Sequence, residues 1–176
     1  MTQKVILLVL FVALISSVLL ARDYKEYGIG DRVSKYPELE FDSNMDDGKV
    51  YTSLGDIAYY CGIYSKNLYI YTNDRGIITG KTITVKGTNQ QDAGQIYKIW
   101  NDRLTNYFKQ KDVILIDKVP FGSIDNLETV LQDFFTEGKI FEIIYYGDAT
   151  KTIASLEKND TDKGAAYDVS VIMTRK

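Results

Sequence analysis

The sequence predicts an α+β fold: an N-terminal apolar helix, then a single domain whose mixed β-sheet is covered by two amphipathic helices and ends in a β-meander. Three observations predict it. An uncharged apolar run, Val5 to Ala21, opens the chain. Two segments, 90–110 and 124–135, repeat apolar residues at steps of three and four, the helical period. Around them, short stretches rich in Val, Ile, Thr and Tyr alternate with the period of two that marks strands.

The run Val5–Ala21 has only Ser16 and Ser17 as polar residues. As a helix its length is roughly 25 Å, against a bilayer core of about 30 Å. It reads as a signal peptide or a membrane anchor spanning residues 1–21. Lys4 supplies a basic start, and Ala21 suits the position before a cut, but Leu19 is too large for the position two residues earlier. If the run is not cleaved, the chain meets a membrane through residues 5–21. Arg22, Lys25, Arg32 and Lys35 follow it closely, and a basic count alone would put the domain in the cytoplasm. A short apolar run at the start of a small chain is also the arrangement of exported proteins. The expectation is therefore a domain on the extracytoplasmic side of a cell membrane, or a secreted or periplasmic one if cleavage follows Ala21.

Residues 22–49 read as a connector. Gly28, Gly30 and Pro37 stop any helix, and 38–48 is acidic and irregular. The α+β domain is expected over 50–176. Ser53 and Asp56 suggest a capped short helix from Leu54 to Cys61, ended by Gly62. Asn67–Thr72 reads as a strand, with Leu68 and Ile70 on one face and Tyr69 and Tyr71 on the other. Asn73–Gly76 is a turn, and Ile77–Lys86 is the returning strand. Thr88 and Gln91 open a helix over about 90–110, whose stripe is Ala93, Ile96, Tyr97, Trp100, Leu104, Tyr107 and Phe108. Asp112–Val119 is a strand ended by Pro120. Ser123 caps a second helix, with Ile124, Leu127, Val130, Leu131, Phe134 and Phe135 inward and Gly138 at its end. Lys139–Tyr146, Lys151–Glu157 and Tyr167–Thr174 follow as the strands of the meander. Two β-α-β passages argue for a mixed sheet.

Composition removes several chemistries. The chain has no histidine and one cysteine, Cys61, so Ser-His-Asp and Cys-His catalysis, His-ligated zinc and an internal disulfide are all excluded. The net charge is −3, which leaves no basic footprint for nucleic acid.

The remaining motifs are incomplete. Gly76 to Thr82 approaches a phosphate loop, but the first glycine comes one residue late, with Arg75 in its place, and a hairpin surrounds it. Asp42, Asn44 and Asp46 are spaced like the first ligands of a calcium loop. Its turn glycine is displaced to Gly48, and Ser53 stands where the bidentate glutamate belongs. Asn159-Asp160-Thr161 is formally a glycosylation sequon in a polar turn. Glu128, Asp133, Glu137 and Glu142 are the carboxylates available for acid–base work, and their spacing selects no pair. No residue is therefore assigned as catalytic, cofactor-binding or metal-binding, and no cofactor is expected. Tyr51, Tyr59, Tyr60, Tyr64, Tyr69 and Tyr71 crowd one stretch, as core and sheet residues or as a contact surface.

These observations point to a non-enzymatic, membrane-associated or exported domain that binds an unidentified protein partner, as a component of an envelope complex would. The alternative is an exported carboxylate-dependent hydrolase, with or without a metal. Its sign would be acids converging in an apolar cleft.

Overall fold

The computed structural model describes residues 22–53, 58–108, 110–116, 127–138, 140–161 and 164–176. The expected apolar helix at 5–21 lies outside them. Among the described residues no helix is long and apolar enough to cross a membrane. In chain order the elements are β1 (Arg22–Asp23), β2 (Leu39–Met45), β3 (Gly48–Ser53), β4 (Ala58–Tyr60), β5 (Ile63–Ser65), β6 (Asn67–Asn73), β7 (Ile78–Gly87), α1 (Gln90–Tyr107), β8 (Gln110–Ile116), α2 (Leu127–Glu137), β9 (Ile140–Tyr146), β10 (Thr150–Thr161) and β11 (Gly164–Arg175). Two single-turn 3-10 helices, Tyr24–Glu26 and Val33–Lys35, follow β1.

The expected fold class is corrected on both its sheet and its helices. Strands dominate, and the large sheet is not mixed. It has eight strands in the order β2-β3-β6-β7-β11-β10-β9-β8, with every pairing antiparallel. The reason lies in the reach of α1. An 18-residue helix is roughly 27 Å long, and strands are about 4.8 Å apart. The helix therefore carries the chain from β7 across to β8 at the far edge. The last three strands then fill the gap between them, so neither helical passage ends beside a parallel strand. The parallel pair among the described strands, β1 with β4, belongs to a separate three-stranded sheet, β1-β4-β5.

Two covering helices are not found either. Helix α1 lies over β7, β11, β10 and β9. Its start is capped by Asn89, whose side chain accepts from the Asp92 N–H at 3.0 Å, while Asp92 accepts in return from the Thr88 N–H at 2.8 Å. Trp100, Tyr97 and Leu104 are buried beneath it, and the Trp100 indole donates to the Tyr60 carbonyl at 3.2 Å. Helix α2 stands beside α1. The Phe135 ring packs at Gly94 and meets the Tyr167 ring edge-on at 5.4 Å.

The rest of the inner face is covered by the stretch expected to be an irregular connector. Tyr24, Tyr27 and Tyr36 are 0–2% exposed, each contributing on the order of 2 kcal/mol by burial. The Tyr36 hydroxyl donates to Asp31 Oδ2 at 2.6 Å and accepts the Gly28 N–H at 2.9 Å, which closes the turn over itself. The helix expected from Leu54 to Cys61 is also absent from its described part. Residues 58–60 form a strand that turns back through Cys61 (φ 53°) and Gly62 (φ 84°) into β5. Both turn residues lie in the left-handed region, as a two-residue hairpin turn with the sheet's twist requires.

Candidate interaction surface

At the middle of the large sheet, β7 turns Lys81, Ile83 and Val85 toward the core. Lys81 is 2% exposed. Its ammonium donates to the Tyr24 carbonyl at 2.7 Å and the Tyr27 carbonyl at 2.8 Å, and lies 4.3 Å from the centre of the Tyr24 ring. The Tyr24 hydroxyl in turn reaches the Lys81 carbonyl at 3.0 Å. Among the described residues no carboxylate is paired with this ammonium. Burial pushes its pKa down to about 8, against a weaker upward pull from Asp23. The Lys81–Tyr24 cluster fastens the first described residues onto the sheet. Arg22, the residue after the apolar run, already pairs with Ala58 in β1 and forms an ion pair with Glu38 at 2.8 Å. Lys35 is paired with Asp31 at 2.8 Å, and Lys25 donates to the Tyr107 hydroxyl at 3.1 Å. Three of the four basic residues that follow the run thus have partners within the domain.

The helices, the small sheet and the buried N-terminal tyrosines all lie on this inner face. The opposite face carries Tyr69 and Tyr71 of β6, Thr84 of β7, and Ser170, Ile172 and Thr174 of β11. Each is half-buried, and further along the same face Ser155 of β10 and Ile144 of β9 are buried. The Thr84 and Ser170 hydroxyls share a hydrogen bond at 2.8 Å. Tyr71 lies over Gly80, where the absence of a side chain lets the ring settle onto the backbone. The result is a patch of rings, methyls and hydroxyls, whose tyrosines are of the type enriched at protein contacts. At one margin, β2 pairs only with β3 among the described strands. Its residues Glu40 to Met45 are all exposed, including Phe41 at 54% and Met45 at 48%.

The structure divides the tyrosine cluster. Tyr60 is core, with its ring 5.2 Å from Tyr24 and 5.9 Å from Trp100. Tyr51 packs at the rim of the core. Tyr59 and Tyr64 stack on the outside of the small sheet, with Tyr64 63% exposed. Tyr69 and Tyr71 lie on the open face. The other sequence candidates are not brought together. Asp42 and Asn44 lie along β2, and the Ser43 hydroxyl donates to Asp42 at 2.9 Å. No group of three acids, histidines or cysteines suited to a metal occurs among the described residues. The lysine of the near-phosphate loop is the buried Lys81. Glu128 is taken by Lys98, on the rim of a groove of about 490 Å³ between α1 and α2, whereas Glu142 lies on β9 opposite Ser155. Asp133 is on α2. The Glu137 side chain lies outside the description. Cys61 is partly exposed, with its thiol pKa raised by burial.

The burial of Lys81 has a signal in the sequence. In Lys81-Thr82-Ile83-Thr84-Val85 the lysine shares its face with Ile83 and Val85, so the period of two places it inside. Comparison with known protein families, curated proteins and solved structures finds no match for this chain.

Proposed function

We propose that this chain is a non-enzymatic, membrane-associated or exported domain that binds another protein, as a component of an envelope complex. The observation that carries this reading is the half-exposed sheet face around Tyr69 and Tyr71, on the side away from the described helices. Antiparallel sheets often leave one face to water, and such faces are then rich in charge. Here the centre of the face is aromatic and hydroxylated, a surface that loses little on being dried by a partner. The fastening of residues 22–27 supports the location. Residues 22–27 are held on the domain itself, so a retained apolar run at 5–21 would keep the domain close to the bilayer.

The test is site-specific photo-crosslinking in the full-length protein, in its own membranes, with the reactive group at Tyr71 or, as control, at the exposed Gln91 of α1. A discrete protein adduct from position 71 but not from 91 is the expected result. Adducts from neither position, or only from 91, would overturn this face as the binding surface.

A further inference from the structure

Strand β2 is a seven-residue edge whose outer side has no partner among the described strands. A row of unpaired N–H and C=O groups is a template for another strand. Natural edges of this kind are usually guarded, and β2 carries two guards: a bulge at Asp42, and the acids Glu40, Asp42, Asp46 and Asp47 in the hairpin. No basic residue lies between Leu39 and Gly48. These guards are selective. They repel nucleic acid, anionic lipid and a second copy of the same hairpin, whose carboxylates would face their own kind. They do not repel a basic strand. Phe41 and Met45, each about half exposed, serve no guarding purpose, and they face opposite sides of the strand. The register shows this: Phe41 pairs with Tyr51, which lies on the core side, and Met45 shares its side with Ser43, opposite Val50 on the open face. An added strand would find an apolar anchor on each face.

We propose that β2 is the docking edge for an extended segment of a partner protein in which lysine or arginine alternates with apolar residues, joining the sheet by strand addition. The inference rests on reading the chain as a protein-binding domain, but it uses the edge, not the Tyr69–Tyr71 face.

The experiment is amide hydrogen exchange on the full-length protein in neutral detergent micelles, alone and with two short synthetic peptides, one alternating lysine with valine and the other glutamate with valine. The lysine peptide is expected to slow exchange at alternate amides of residues 40–45 by at least about tenfold, and the glutamate peptide to leave them unchanged. In the double variant Glu40→Lys/Asp42→Lys the preference should weaken or reverse. These side chains are exposed, so folding is kept. Three results would overturn the proposal: no protection by either peptide, equal protection by both, or protection that appears without peptide as protein concentration rises, the mark of a second copy. Failure here with a Tyr71 adduct intact would leave the face as the binding surface. A Tyr71 failure with the edge protected would do the reverse.

Discussion

The ammonium of Lys81 lies 4.3 Å from the centre of the Tyr24 ring and donates to the Tyr24 carbonyl at 2.7 Å, so one side chain grips both the ring and the backbone of the same residue. The hold has a cost that depends on pH. Lys81 falls from an ordinary 10.5 to about 8 in the folded protein. Between those values the unfolded chain keeps a proton that the folded chain has lost. Stability therefore rises with pH across this window, by at most about 3 kcal/mol. Tyr24, Tyr60 and Tyr97 act oppositely. Burial raises their pKa values, and the stability this brings is lost once pH passes the ordinary tyrosine value near 10. Urea unfolding across pH 7 to 11 should show a maximum between 8 and 10. In Lys81→Met the rise should vanish while the fall above 10 remains. A wild-type profile flat from 7 to 10 would contradict the assignment.

The two tyrosine environments predict opposite outcomes for the same substitution. Tyr69→Ser/Tyr71→Ser removes rings from a half-buried open face and should lower stability by about 1–2 kcal/mol in total, with the fold kept. Tyr60→Ser removes a ring packed between Tyr24 and Trp100 and should cost about 3–5 kcal/mol. Denaturant midpoints together with near-ultraviolet circular dichroism would separate them. Equal losses would mean that the face is covered.

What was legible in the sequence was local. The alternation of 67–72 identified the hairpin of β6 and β7 and the faces of Leu68, Ile70, Tyr69 and Tyr71, because a two-period pattern in adjacent strands needs no long-range information. The helix expected over about 90–110 was legible for the same reason, although it ends at Tyr107 and Gln110 already belongs to β8. The arrangement was not. Nothing local says that the strand after α1 lands four places away in the sheet. The connector misled because its tyrosines are isolated. Tyr24 and Tyr27 are one helical step apart, but Gly28 and Gly30 end the pattern before Tyr36, so no sustained period announces their burial over β7. Of the candidate surface, Tyr69 and Tyr71 were visible in advance. The edge at β2 was hidden because its acidic residues looked like a loop.

Thr152 offers a gain in stability. It is fully buried on β10, and its hydroxyl has no hydrogen-bond partner. A buried hydroxyl without a partner costs on the order of 1 kcal/mol or more. Thr152→Val keeps the branched shape and the strand preference while removing that polar atom. The expected result is a stabilisation of about 1 kcal/mol, read as a higher urea midpoint at unchanged slope. A lower midpoint would show that the hydroxyl is satisfied in solution, for example by a buried water.

The last prediction separates strand geometry from charge at the β2 edge. Strand β2 hangs on β3, and at Gly48, where β3 begins beside β6, an added Cβ would collide with the Thr72 carbonyl oxygen. That contact is with backbone, so no rotamer change relieves it. Gly48→Ala must push the end of β3 away from β6, at a cost of about 2 kcal/mol, and it displaces the hairpin with every carboxylate retained. If strand addition depends on a straight, rigid edge, Gly48→Ala should weaken lysine–valine peptide protection of residues 40–45 by about tenfold, although the hairpin's charge is unchanged. If the acids alone attract the peptide, the variant should bind as well as the parent. Exchange rates at Thr72 and Asn73 measured in the same samples would show whether the β3–β6 pairing has opened as the contact requires.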